Sequence, residues 1–275
     1  MGRLPAKALG MITPILMLGA GRMGGAMLEG WRAAGAFAAS DLIIRDPQPG
    51  PAALAAEAAG TVLNPPDSEL ARARTVVLAV KPQVWRDAAA EFAPWIHADA
   101  VIVSIAAGVG SREISREFGG RCVARVMPTT AAAIGQGTAS LYADDPAALA
   151  RAHALFEPLG VVVDLTDEAL MHAATAVSGS APAYLYAFIE ALEAAGAAAG
   201  LAPRDAQRLA RSTLTGAAAL LAGSGEEPAE LRRQVTSPGG TTEAALNVLL
   251  SDAGLPPLLR EAVSAAVRRS KELGR

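Results

Sequence analysis

Apolar positions in the first half of the chain come in short runs separated by helical spacings. PILMLGAG (Pro14–Gly21) enters a glycine-rich loop, and AMLEGWRAAGA follows with helical periodicity. DLIIRD (41–46), TVVLAV (75–80) and AVIVSIAAG (100–108) read as strands, with helical PAALAAEAAG and VWRDAAAEFAPWI between them. RCVARVMPT, GTASLYA and GVVVDL add three more β-like runs, the last ending at Leu165. Strands alternating with helices predict a parallel, doubly wound sheet covered on both faces, and continuous apolar runs fit strands buried on both sides.

Beyond about Asp164 the strand-like runs stop. Helical patterns fill the rest, broken around Ser178–Pro182 and again at SPGGTT (237–242). The segment 184–199 is apolar on most sides, with Glu190 and Glu193 as its only charges. A helix with no polar face must be buried, and a helical half of this size predicts burial against a second copy of the chain. The expected organisation is an N-terminal extension at 1–12, a Rossmann-type α/β dinucleotide-binding domain at 13–164, and an all-α dimerisation and substrate domain at 165–275. The predicted assembly is a homodimer or a higher homo-oligomer of dimers.

Composition narrows the function. The chain has 275 residues, 52% of them hydrophobic but only 4% aromatic, so Ala, Leu and Val must fill much of the core. A net charge of −3 without a basic run argues against nucleic-acid binding. No apolar stretch reaches membrane-spanning length. The single cysteine, Cys122, allows no internal disulfide, offers no metal cluster and fits a reducing compartment. A cytoplasmic protein without a bound metal is expected.

Gly19, Gly21 and Gly24 stand in the G-x-G-x-x-G spacing between a predicted strand and a predicted helix. In that context the first glycine allows the turn, the second the approach of a pyrophosphate, and the third close helix–strand packing. Asp46, at the end of the second strand, is placed to bind a ribose 2′-hydroxyl and so points to NAD. Arg45 beside it, and Arg22 in the loop, offer the opposite: a partner for a 2′-phosphate.

The available chemistry favours a C=N bond as acceptor. Oxidation of a hydroxyl asks for a base, usually His or Lys. The helical half holds no lysine before Lys271, His97 and His153 lie in surface-like helical contexts, and only His172 is near the helix break. A protonated imine is already electrophilic, so orientation supplies much of the catalysis. SPGGTT offers hydroxyls and helix-terminal N–H groups suited to a ring nitrogen and a carboxylate.

Four segments, LGAGRMG, VVLAVKPQ, TAVSGSAPAYLYAFIEAL and SPGGTTEAAL, resemble the pyrroline-5-carboxylate reductase family, and the likeness runs from about Ile15 to Leu273. The resemblance implies NAD(P)H-dependent reduction of 1-pyrroline-5-carboxylate to L-proline, with NADPH the expected cofactor and NADH the alternative. It implies that Ser237, Gly240 and Thr241 hold the substrate carboxylate, that the Thr242 hydroxyl meets the ring nitrogen, and that Ser178 lies by the substrate. Cofactor contacts are expected from Gly19, Gly21, Arg22, Met23, Gly24, Arg45, Asp46, Ala79, Lys81, Pro82 and Ala106. The competing readings are a reductase of another cyclic imine or a keto acid, and a regulatory NAD(P)H-binding protein.

This chain departs from the family pattern at Thr129, where an Asn is common, at Ala181, where a Gly is common, and at His172, where an acidic residue is common. Trp31, Trp85 and Trp95 are expected to pack in the interior, as are Met17, Met23 and Met27. LRRQVT reads as a solvated face.

Overall fold

The computed structural model describes residues 10–273, so most of the expected N-terminal extension, residues 1–9, lies outside the described residues. Ile12 is already buried, and its carbonyl accepts a 2.8 Å hydrogen bond from the Thr75 hydroxyl, so the folded chain reaches back into the expected extension. The chain divides into two compact units, one made of 10–179 with 266–273 and the other of Ser180–Ala265.

The first unit is built on an eight-stranded sheet: β1 (Ile15–Leu18), β2 (Leu42–Arg45), β3 (Val62–Leu63), β4 (Thr75–Leu78), β5 (Val101–Ser104), β6 (Val123–Pro128), β7 (Gly137–Tyr142) and β8 (Gly160–Asp164). The order across the sheet is β3-β2-β1-β4-β5-β6-β7-β8. Period-2 alternation sorts β1 into two cores. Ile15 and Met17 face one side with Ile44, Val77 and Val103, while Leu16 and Leu18 face the other with Ile43, Leu78 and Ile102. Helices α1 (Arg22–Ala34), α2 (Pro51–Ala58), α3 (Trp85–Phe92), α4 (Ser111–Glu117) and α5 (Pro146–Phe156) flank the sheet. Met27 and Trp31 of α1 and Phe156 of α5 fill the first core; Trp85 of α3 and Ile114 of α4 fill the second. The Trp31 indole N–H also donates to the Leu155 carbonyl at 2.7 Å, satisfying its one polar atom.

Three expectations need correction. The sheet is not parallel throughout, because β7 runs antiparallel to β6. Only a short 3₁₀ turn, Thr130–Ile134, joins these two strands, which is too little chain for a parallel crossover. α5 then provides such a crossover, and β8 returns parallel to β7. Nor is the sheet covered everywhere, since Val161 and Val163 on the β8 edge are 64% and 46% exposed. Trp95, expected inside, is 46% exposed, because it falls in the 3₁₀ turn that ends the α3 segment.

After β8 the chain forms a single turn, α6 (Met171–Ala174), and then a π-helical segment over Thr175–Gly179. The interruption expected around Ser178–Pro182 is this π segment together with the start of the next helix. In the second unit α7 (Ala181–Ala198) packs on α8 (Pro203–Ser224), close enough that a Cβ on Gly196 would stand 3.2 Å from the Ala206 Cβ. α9 (Pro228–Gln234) and α10 (Thr241–Leu249) follow, and α11 (Leu255–Leu273) carries the chain back into the first unit.

Candidate active site

The carboxyl ends of β2, β1, β4 and β5 are in register: Arg45 pairs with Leu18, Leu18 with Leu78, and Leu78 with Ser104. Strand order reverses direction between β1 and β4, so the loops that leave these two strands open a crevice, the usual ligand position in such sheets. Gly19, Ala20 and Gly21 form the first loop; Ala79, Lys81 and Pro82 lie in the second, which leaves the Lys81 side chain exposed. Ala106, just past β5, is 4% exposed.

The three glycines have three different reasons to be glycine. Gly19 has φ +90°, and a Cβ there would lie 2.9 Å from the Ala79 carbonyl oxygen. A Cβ on Gly24 would come within 2.5 Å of the Gly19 oxygen, so this glycine lets α1 approach the strand. Gly21 has ordinary backbone angles and open space where its Cβ would be, so packing within the protein does not require it. It is the N-cap of α1 with no side-chain cap, and no acidic residue follows in the first turn. The N–H groups of Arg22, Met23 and Gly24 therefore face outward beside room for an anion. This space and these donors fit a dinucleotide pyrophosphate. Arg22 is exposed and lines the adjoining cavity of about 610 Å³.

On the other side of the loop is a cavity of about 500 Å³, lined by Gly19, Arg45, Asp46, Asn64, Asp87 and Glu91 among others. Asp46 is 9% exposed, and both its oxygens accept backbone hydrogen bonds, Oδ2 from Ala20 N at 2.6 Å and Oδ1 from Gln48 N at 2.8 Å. Asn64, held at φ +48°, clasps the Asp46 backbone: its Oδ1 accepts from Asp46 N and its Nδ2 donates to Asp46 O. Arg45 is bound three ways. Nη2 meets Asp67 Oδ1 at 2.6 Å, Nη1 donates to the Pro65 carbonyl at 2.9 Å, and the guanidinium lies 5.4 Å from the centre of the Phe92 ring. Sequence reasoning did not find Asn64, Asp67, Asp87 or Glu91. The turn-forming composition of NPPD at 64–67 is a local signal for a loop beside β3, but it carries nothing that ties Asn64 or Asp67 to the end of β2.

SPGGTT folds as a turn into α10. Gly240 N donates to Ser237 O at 3.0 Å, Gly239 takes φ +70°, and Gly240 is the N-cap without a side-chain hydrogen bond. Gly239 N donates to Glu243 Oε2 at 2.7 Å, so one loop donor already serves an internal carboxylate. Among the described residues the hydroxyls of Ser237, Thr241 and Thr242 have no partner, and Ser237 and Thr241 are exposed. Three hydroxyls and the unmatched N–H groups of the α10 first turn can receive a carboxylate and a polar ring atom. The glycine loop and Ser178 belong to the first unit and SPGGTT to the second.

The Ser178 hydroxyl donates to Ala174 O at 2.8 Å within the π segment, a geometry often retained where a helix serves a ligand. Gly179 packs tightly on β6, for a Cβ there would lie 3.0 Å from the Met127 sulfur. His172 Nδ1 meets the Ser270 hydroxyl at 2.9 Å, tying α6 to the end of α11. Burial first, then the charges of Arg125 and Lys271, hold its pKa below the ordinary value. His97 and His153 sit beside Asp99 and beside Glu157 and Asp164, respectively. Thr129 uses its hydroxyl to accept Thr138 N at 3.0 Å, bracing the β6–β7 turn. Ala181 begins α7 with helical backbone, so no left-handed conformation demands a glycine there.

An anion-ready helix N-terminus at the switch point of a doubly wound sheet marks the class of dinucleotide-binding α/β proteins. The chain is 41% identical to pyrroline-5-carboxylate reductase of Pseudomonas aeruginosa over 271 residues, covering 96% of this chain and 98% of that one. The chain belongs to the pyrroline-5-carboxylate reductase family. A relative of the same name from Synechocystis is 39% identical over 94% of this chain and 97% of its own. The family profile for pyrroline-5-carboxylate reductase dimerisation matches residues 168–273, and one for coenzyme F420-dependent NADP oxidoreductases matches 14–108. Among solved structures, pyrroline-5-carboxylate reductase from Coxiella burnetii aligns with a TM-score of 0.87 at 30% identity, over 96% of this chain and 99% of that one. The Plasmodium falciparum enzyme, solved with NADP bound, aligns at 0.82 with 25% identity, over 96% and 98%.

Proposed function

We propose that this protein reduces 1-pyrroline-5-carboxylate to L-proline at the expense of a reduced nicotinamide dinucleotide. The observation that carries the reading is the α10 N-terminus, where the Ser237, Thr241 and Thr242 hydroxyls stand unpartnered beside unmatched N–H groups. The dinucleotide, when bound, supplies the hydride for the imine carbon. Gly19, Gly21, Arg22, Met23 and Gly24 hold its pyrophosphate, Arg45 and Asp46 face its adenosine end, and Ala79, Lys81, Pro82 and Ala106 line the strand ends it crosses. Ser237, Gly240 and Thr241 hold the substrate carboxylate against the helix dipole, and Thr242 hydrogen-bonds the ring nitrogen. Ser178 borders the substrate.

The working unit in this reading is a homodimer formed through 165–275, with 13–164 serving the dinucleotide. Within Ser180–Ala265 only Ile189, Ala206 and Ala210 are buried apolar residues, while Leu185, Tyr186 and Phe188 of α7 are 51%, 66% and 40% exposed. So sparse a core calls for a second copy to cover the α7 face. No helix among the described residues is long and apolar enough to cross a membrane, and we assign the protein to the cytoplasm.

The test is loss of reduced-nicotinamide absorbance with 1-pyrroline-5-carboxylate, matched to proline formed. Dinucleotide binding without imine turnover would instead favour a regulatory role. A charge-assisted hydrogen bond is worth about 1.5–3 kcal/mol, so Thr242→Ala is expected to lower turnover roughly 10- to 100-fold. Unchanged kcat and KM in that variant would remove Thr242 from the chemistry.

A further inference from the structure

The residues at the end of β2 carry two contradictory signals, a carboxylate that suits a ribose diol and an arginine that suits a 2′-phosphate. We infer that this chain selects the unphosphorylated dinucleotide, NADH over NADPH, because Asp67 withholds Arg45 while Asp46 remains in the pocket. The inference rests on the reading that the loop at Gly19–Gly24 holds the dinucleotide.

Four observations combine. Among the residues lining the cavity beside Gly19, Arg45 is the only cation, whereas Asp46, Asp87 and Glu91 contribute three carboxylates. Arg45 is already matched in charge by Asp67 at 2.6 Å, anchored to the Pro65 carbonyl and stacked near Phe92, so turning it toward a phosphate breaks all three contacts. Asn64, the other polar side chain able to donate into this cavity, is oriented by the Asp46 backbone through one of its two amide hydrogens and brings no positive charge. Asp46 is fixed by Ala20 N and Gln48 N, one hydrogen bond to each oxygen, and so cannot swing away from an incoming phosphate. Each of its oxygens keeps a lone pair for a ribose hydroxyl. A neutral diol thus gains hydrogen bonds where a 2′-phosphate, bearing about −1.5 to −2 charge, meets fixed negative charge and no available cation. Arg22 does not reverse this, because it lines the separate cavity at the start of α1.

The experiment is calorimetric titration of the full-length protein with NADH and with NADPH, without substrate. The expected result is NADH binding at least about tenfold tighter, the discrimination that one unfavourable buried contact typically gives. Asp67→Asn, at a partly exposed position, releases Arg45. It should tighten NADPH several-fold and leave NADH within about twofold, and Asp67→Asn with Arg45→Ala should abolish that gain. Equal or tighter binding of NADPH by the unaltered protein overturns the inference. An Asp67→Asn protein whose NADPH affinity does not change overturns the role given to Asp67. Failure of both dinucleotides to bind folded protein removes the cofactor site itself, a result distinct from a reversed preference.

Discussion

At the residue scale, the glycine loop separates ligand demand from folding demand. Gly24 is needed by the protein, because a methyl group there meets the Gly19 carbonyl at 2.5 Å, backbone against backbone. Gly21 has no such neighbour, and its φ of −66° suits alanine. Gly24→Ala should therefore destabilise the fold by about 1–3 kcal/mol, the usual cost of overpacking. Gly21→Ala should leave stability within about 0.5 kcal/mol yet weaken dinucleotide binding about tenfold or more. Denaturant unfolding and calorimetry on the two variants check both statements. A Gly21→Ala protein that binds as before would show that the open space at this position is not where the pyrophosphate approaches.

At the element scale, one side chain joins the segment after β8 to the sheet. Glu168 Oε1 accepts from Ser111 N at 2.6 Å and pairs with Arg125 at 3.0 Å, while Oε2 accepts from the Ser111 hydroxyl. It supplies from a distance the N-terminal partner that α4 lacks, since Gly110 has no side chain to cap with. The Arg125 side chain is 5% exposed on β6, and the Arg125–Glu168 contact is the only ion pair that the guanidinium makes among the described residues. Removing one member of such a pair leaves a buried charge uncompensated, at about 3–5 kcal/mol when both partners are fully buried. Glu168 is 27% exposed, so we expect Glu168→Gln to cost about 2 kcal/mol by denaturant unfolding. A change below about 0.5 kcal/mol, the scatter of ordinary surface substitutions, would mean that water already shares this contact.

For the molecule as a whole, two histidines set opposing pH responses. Partial burial disfavours protonation of His153, but hydrogen bonds and charge from Glu157 and Asp164 outweigh it and leave the pKa raised above 6.5. Its contribution is present at pH below 6.5 and lost as pH rises through the raised value. His172 is shifted the other way, by burial first and then by Arg125 and Lys271. It favours the folded state above 6.5, and that stability is lost as pH falls toward its lowered pKa. Melting temperatures across this range should show His153→Gln losing stability chiefly on the acid side. His172→Gln should make the protein less sensitive to acid. Parallel melting curves for the two variants would show that neither histidine changes its protonation on unfolding in the way described.

Element types, the glycine loop and SPGGTT were legible in the sequence because short-range sterics write them there. Strand alternation, helix period, positive-φ glycines and caps each concern neighbours within a few positions. Composition likewise exposed the unpartnered apolar face of α7. The remaining features depend on residues that only the fold makes neighbours. Asp67 reaches Arg45 across 22 positions, Asp46 reaches Ala20 across 26, and Glu168 reaches Ser111 across 57. Strand order and register set these pairings, and no local period encodes them. The same holds for β7, whose apolar run does not state its direction; the length of the turn before it does. Sequence alone thus determined that a glycine-rich strand-to-helix loop and a second helix start without a side-chain cap are present. Tertiary structure decided which charges beside the loop remain available to a ligand, because an ion pair depends on distance in space.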